Sequence, residues 1–151
     1  GLGRPAPALR RSSQAVLGAT FTLPSGLAVS AEAQHNGAGL DRSGWQQLFA
    51  GGPVAAARLF GATQADQELA SRRAWLLYAT QKNVLIKQLD VTGFVRHNPL
   101  DHSSLAWVEL RYHWPKFDTA LQWQRSLGSA ATEYGALPYR QVLQLVGTLY
   151  F

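Results

Sequence analysis

Short runs in which apolar and polar residues alternate recur along most of this 151-residue chain, and that rhythm narrows its folds more than any motif does. A period of two places successive side chains on opposite faces of a β-strand. Residues 15–23 set Ala15, Leu17, Ala19, Phe21 and Leu23 against Thr20 and Thr22. After Pro24-Ser25-Gly26, Leu27, Val29, Ala31 and Ala33 oppose Ser30, Glu32 and Gln34. A third strand is predicted over 72–81, with its facing open. Over 84–96, Leu85, Leu89, Val91, Gly93 and Val95 face away from Gln88, Asp90, Thr92 and Arg96. Over 103–114, Ala106, Val108, Leu110, Tyr112 and Trp114 oppose Trp107, Glu109, Arg111 and His113. Over 117–126, Phe117, Thr119, Leu121 and Trp123 oppose Asp118, Ala120, Gln122 and Gln124. The seventh run, from Tyr139 to Phe151, carries Leu143, Leu145, Gly147 and Leu149 on one face and Arg140, Val142, Gln144, Val146, Thr148 and Tyr150 on the other. The predicted fold class is all-β.

Composition agrees with interleaving. Hydrophobic residues make up 46% of the chain, yet mean hydropathy is only −0.11. No stretch approaches the ~18 consecutive apolar residues of a transmembrane helix. A chain of this kind crosses a membrane only as a closed barrel, because every backbone N–H and C=O in lipid needs a partner. The absence of Cys excludes disulfides, thiol chemistry and cysteine metal sites. The absence of Met, with Gly1 in first place, predicts that a signal peptide and further upstream sequence precede these residues. The net charge is +5 and the pI about 10.0, but Lys and Arg are scattered rather than striped among aromatics, so no nucleic-acid partner is expected.

The connections alternate in length. Pro24–Gly26, Lys82-Asn83 and Pro115-Lys116 read as tight turns, whereas residues 37–70, the segment from His97 to His102, and 127–138 read as longer loops. Within 37–70, Gly44–Phe49 and Val54–Phe60 are predicted as short helices broken by Gly51-Gly52-Pro53, with a further turn over Asp66–Ala70. Their apolar stripe (Trp45, Leu48, Phe49, Leu59, Phe60) is expected to pack against the sheet. Residues 1–14 read as a loop or linker.

An alternating strand that stops on an aromatic residue, preceded by connections that alternate short and long, resembles the C-terminal part of bacterial outer-membrane β-barrels of the porin type. The run Gly18–Glu32 also looks like one of their hairpins, with its periplasmic turn at Pro24–Gly26. The resemblance implies an antiparallel transmembrane barrel segment of about seven strands over 15–151, located in the outer membrane, with short turns periplasmic and long loops outer. It further implies an assembly signal at Leu149 and Phe151 read by the barrel-assembly machinery, interface aromatics at Trp114, Phe117 and Tyr150, and contact with lipids and lipopolysaccharide. Bacterial single-chain barrels have even strand numbers, so the remaining strands are expected from an upstream segment or another chain. The implied function is a channel or transporter for small solutes rather than an enzyme. The alternatives are a structural barrel subunit sheathing or anchoring a partner complex, an outer-membrane enzyme, and a soluble β-sandwich.

In that frame the lumen-lining candidates are Glu32, Asp90, Arg96, Glu109, Arg111, His113, Asp118, Gln122, Gln124 and Arg140, with Gln34, Gln88 and Gln144 beside them. Both signs of charge are present, so neither strong anion nor strong cation preference is expected. All three lysines (Lys82, Lys87, Lys116) fall at predicted periplasmic ends. Arg42, Arg58, Arg72, Arg73, Arg96, Arg125 and Arg140 fall at or beyond outer ends, where guanidinium forks suit lipid phosphates. A Ser/His/Asp set or a metal site can be drawn from His35, His97, Asp101, His102, Ser103 and Ser104, but no nucleophile, metalloprotease or phosphate-loop motif supports it. No catalytic residue, cofactor or metal is therefore assigned.

Overall fold

The computed structural model describes residues 13–52, 54, 55, 58 and 70–150. Seven strands follow one another: β1 (Gln14–Thr22), β2 (Ala28–Asn36), β3 (Arg73–Gln81), β4 (Leu89–Asn98), β5 (Ser103–His113), β6 (Phe117–Leu127) and β7 (Gln141–Leu149). A helix, α1 (Arg42–Ala50), lies between β2 and β3, and residues 54, 55 and 58 are also helical. The strands form a single sheet in chain order, every neighbour antiparallel. The all-β reading holds. Among the described residues the sheet is open, so β1 and β7 are edges, and six antiparallel steps leave them running in the same direction.

The register lines up the alternation across the whole sheet. Residues paired across an antiparallel ladder share a face. One row runs Phe21, Val29, Ala79, Gly93, Val108, Trp123, Leu143, and the next Gln81, Val91, Leu110, Leu121, Leu145. The opposite face carries rows such as Thr22, Ala28, Thr80, Thr92, Glu109, Gln122, Gln144. This settles β3: Trp75, Leu77 and Ala79 belong to the apolar face, and Leu76, Tyr78 and Thr80 to the polar one.

Burial is inverted relative to a water-soluble domain. The apolar face is bare: Leu17 is 80% exposed and Leu145 77%. The buried apolar residues among those described are only Trp45, Ala70, Ala74, Ala120 and Tyr134, whereas Asn36, Ser71, Asn98, Ser103, Glu109, Asp118 and Glu133 are all buried. A β-sandwich would cover its apolar face with a second sheet about 10 Å away; among the described residues there is one sheet.

The main boundary differences from the sequence reading are at β1, β4 and β7. Gln14 already belongs to β1 rather than to the preceding linker. Residues 84–88 are not strand. Asn83 and Leu85 adopt left-handed φ of 58° and 63°, Val84 N–H bonds to Leu89 O, and Ile86 N–H bonds to Val84 O. A side chain with a Cβ rarely takes such a φ, and never in a strand, so the connection spans 82–88 rather than Lys82-Asn83 alone. It is longer than the opposite-side connection 99–102, and the strict short–long alternation breaks there. Finally, β7 begins at Gln141, leaving Tyr139 and Arg140 in the preceding loop. Phe151, residues 1–12, most of the predicted helix Val54–Phe60, and the turn over Asp66–Ala70 save Ala70 itself lie outside the described residues.

The sheet therefore has two unlike rims. One carries 23–27, 82–88 and 114–116, with Lys82, Lys87 and Lys116; the other carries 37–72, 99–102 and 128–140. We call them the short-turn rim and the long-loop rim.

Candidate polar-face site

Nine of the ten lumen-lining candidates lie on strands and share the polar face: Glu32, Asp90, Arg96, Glu109, Arg111, His113, Asp118, Gln122 and Gln124. Arg140 precedes β7; its carbonyl accepts from Ser126 N–H at 2.9 Å, and its side chain is exposed.

Near the short-turn rim the charges form one lattice across β4, β5 and β6. Arg111 grips Glu109 with both arms, Nε to Oε1 at 2.9 Å and Nη2 to Oε2 at 3.0 Å. Such two-point pairs are among the stronger polar contacts. Gln122 Nε2 donates to Glu109 Oε2 at 2.6 Å, and Arg111 Nη1 stands 3.8 Å from Asp118. His113 sits between two aspartates, Nε2 3.1 Å from Asp90 and Nδ1 3.0 Å from Asp118. Only the imidazolium offers a donor at both nitrogens. Tyr150 Oη donates to Asp118 Oδ2 at 2.7 Å, so its hydroxyl joins the polar lattice. Trp114 and Phe117 stack at 5.4 Å, with Tyr112 4.5 Å from Trp114, and Leu149 pairs with Phe117 on the apolar face.

The middle of the polar face is aromatic. Tyr78, Phe94 and Trp107 share one row with Gln124, and the rings of Phe94 and Trp107 stack at 5.6 Å. The sequence marked Trp107 for this face; Tyr78 waited on the facing of β3, and Phe94 follows from its alternation with Gly93 and Val95.

At the long-loop rim the polar face is roofed by its own loops. Arg96 Nη2 donates to Gln34 Oε1 at 3.2 Å, and Gln34 Nε2 donates to Glu32 at 3.0 Å. Behind them lies a knot that binds three connections together. Trp45 Nε1 and Asn98 Nδ2 donate to Ser71 Oγ at 2.9 and 2.6 Å, and Ser71 Oγ donates to Glu133 Oε2 at 2.5 Å. Asn98 also reaches Glu133 Oε2 at 2.9 Å, and Glu133 N–H donates to Asp101 Oδ2 at 2.7 Å. Burial pushes the Glu133 carboxyl above the ordinary glutamate range, against the pull of Ser71, Arg96 and Asn98. The Tyr134 phenol is raised by burial and by the adjoining Glu133 charge. Loop closure needs glycine at one place in particular: a Cβ on Gly135 would collide with the Ser129 carbonyl oxygen.

The predicted helix over Gly44–Phe49 appears as α1; of its stripe Trp45 is buried, Leu48 and Phe49 are half-buried, and Leu59 and Phe60 lie outside the described residues. Trp45 stacks on Phe49 at 5.7 Å. Asp41 caps the helix, its Oδ1 accepting from Gly44 N–H at 2.9 Å and Ser43 Oγ at 2.7 Å, with Arg72 3.4 Å from Oδ2. The Ser43 hydroxyl and then the Gly44 N–H hold the Asp41 carboxyl below its usual value.

The residues of the Ser/His/Asp alternative separate. Asp101 Oδ1 accepts from Ser103 Oγ at 2.6 Å, while His97 Nδ1 shares a hydrogen bond with Ser104 Oγ at 2.9 Å. His35 belongs to β2, two strands from His97. Among the described residues no three His, Asp or Glu side chains are placed to hold a metal ion.

The class that fold and site define is an open, all-antiparallel sheet with one apolar and one ionic face. No family profile, curated protein or solved structure matches the chain.

Proposed function

We propose that this sheet is part of an outer-membrane β-barrel of the porin type, whose apolar face meets lipid and whose polar face lines a water-filled path for small solutes. The observation that carries this reading is the bare, register-matched apolar face opposite a buried ionic one. Seven strands of 9 to 11 residues match the ~9–11 residues a tilted strand needs to cross the hydrocarbon layer. The lysine-bearing short-turn rim is the periplasmic side and the long-loop rim the outer one. Trp114 and Phe117 mark the periplasmic interface, and Leu149 with Phe151 forms the signal for the barrel-assembly machinery. Since β1 and β7 run the same way, an all-antiparallel closure takes an odd number of further strands, from upstream sequence or another chain. Paired charges of both signs support weak ion selectivity.

The full-length protein, refolded in detergent and added to a planar bilayer, is expected to give discrete conductance steps. Insertion with no conductance at any voltage would rule out the channel and leave a structural barrel subunit, a reading favoured by the hydrogen-bonded knot of Trp45, Ser71, Asn98 and Glu133 at the long-loop rim. Solubility without detergent as a monomer would remove both.

A further inference from the structure

One clasp in the polar-face lattice depends on a proton. Of the four histidines, His113 alone faces the polar side; His35 and His97 lie in apolar-face rows with Arg73 and Trp75, and His102 lies in the 99–102 connection. His113 Nε2 stands 3.1 Å from Asp90 Oδ2 on β4, and Nδ1 stands 3.0 Å from Asp118 Oδ1 on β6. The ring thus joins two carboxylates across β5. An imidazolium donates to both, whereas the neutral ring has one N–H and turns a lone pair toward the other carboxylate. Imidazole changes charge near neutral pH and guanidinium does not. This clasp therefore answers to pH, unlike the Arg111–Glu109 pair beside it.

Which carboxylate loses its donor follows from what else each one holds. The Asp118 side chain is 6% exposed, accepts from Tyr150 Oη at 2.7 Å and has Arg111 Nη1 at 3.8 Å. The Asp90 side chain is 21% exposed and accepts from Asn83 N–H at 3.0 Å. A lone pair aimed at the drier carboxylate costs more, so the remaining proton belongs on Nδ1, toward Asp118. Asp90 then faces Nε2 without a donor and turns to water. The neighbouring cations do not take over its role. Arg111 has both arms on Glu109. Lys82 acts on Asp90 through space without an ion pair, and Lys116 is exposed in the 114–116 turn.

We infer that His113 sets a pH-dependent ion preference at the short-turn end of the path, masking the Asp90 carboxylate in acid and unmasking it in base. The inference rests on the channel reading above and assigns the regulation of that path to one residue. In the lattice of Asp90, Glu109, Arg111, His113 and Asp118, three carboxylates stand against two cations when His113 is protonated, and against Arg111 alone when it is not. Loss of the proton therefore favours cations by one unit charge. The strands that complete the barrel set the baseline preference, and that baseline cancels when proteins with and without His113 are compared.

The test is the reversal potential of the full-length protein in a planar bilayer under a gradient of dilute potassium chloride, where screening is weak. It is read from about pH 5 to about pH 9, a span that brackets imidazole titration. The cation-to-anion permeability ratio is expected to rise with pH by about two- to fourfold, the size of one unit charge acting through water at roughly 8 Å. His113→Gln, neutral throughout, is expected to hold the ratio near the parent's basic value. His113→Lys, cationic throughout, is expected to hold it near the acid value. Asp90→Asn should move the midpoint of the rise to lower pH, because the imidazolium then holds one carboxylate instead of two. His97→Gln, on the apolar face, should leave the profile unchanged. A second readout needs no conduction: in micelles the Asn83 amide resonance, bonded to Asp90, should move with pH in the parent and stay fixed in both His113 variants. A conducting protein whose profile is the same with and without His113 overturns the inference and leaves the channel standing. Insertion without conductance removes the channel and the ion preference together. An Asn83 amide that ignores His113 overturns the clasp on which the inference depends.

Discussion

The two rims of the polar face hold polar side chains by different means. At the short-turn rim, Asp90, Glu109, Arg111, His113 and Asp118 are fixed by opposite charges within β5 and across its ladders to β4 and β6. At the long-loop rim, Trp45, Ser71, Asn98 and Glu133 come from two connections and the end of β4, and are joined by hydrogen bonds around one hydroxyl. The first arrangement needs only correct register. The second needs Trp45 and Ser71 from one connection and Glu133 from another to meet at the end of β4, so it reports tertiary order that strand pairing does not supply.

Substitutions at four positions probe that contrast. Trp45→Ala should have the largest effect, about 3–5 kcal/mol of loop docking, because it empties a fully buried site and removes a donor to Ser71. Hydrogen exchange should rise in 37–52 and 128–138 while strand amides stay protected; exchange rising throughout the sheet would mean that the rims are not separable. Arg111→Ala is expected to cost about 1–3 kcal/mol, since buried Glu109 loses its two-point partner. Its melting temperature in detergent should fall, and Arg111→Lys should recover only part of the loss.

Glu133 and Asp41 give smaller effects of opposite sign. The Glu133 carboxyl is raised in the folded protein, so the docked loop binds its proton more tightly than the free loop does. Docking of 128–138 is fully stabilised below the ordinary glutamate value and loses that contribution as pH rises through the raised one. Glu133→Gln should abolish this dependence, read as the pH profile of protease cleavage within 128–138; a flat profile in the parent protein would contradict it. The Asp41 carboxyl is lowered, so its cap contributes above the ordinary aspartate value and is lost as pH falls through the depressed one. Asp41→Ala should do least, fraying only the first turn of α1 in amide exchange.

Most of the sheet was legible because a period of two is a local property. Register followed once the apolar faces had to align, and that alignment put nine of the ten named candidates on one face. The lattice around Arg111 was legible in composition but not in partners: which carboxylate Arg111 takes depends on side-chain reach, not on alternation. The failures came where chain direction changes. Leu85 fits the apolar parity of a strand, yet it is 95% exposed in a left-handed turn, because Asn83 and its neighbours reverse the backbone before β4 begins. The knot at Glu133 left almost no trace, since its members are spread from Trp45 to Glu133 and share no spacing. The one local clue was Asp101 with Ser103, a short polar motif that anchors the 99–102 connection and takes Glu133 N–H from another loop.

The common direction of β1 and β7 bears on self-association. Two copies inserted with the same orientation bring β7 of one beside β1 of the next as parallel neighbours, the less stable pairing per residue. The antiparallel alternatives, β1 with β1 or β7 with β7, place one copy upside down, with its long loops where the short turns belong. Under the membrane reading proposed above, the odd parity of the described strands thus discourages sheet-to-sheet polymerisation while leaving β1 and β7 free to meet a complementary odd set of strands.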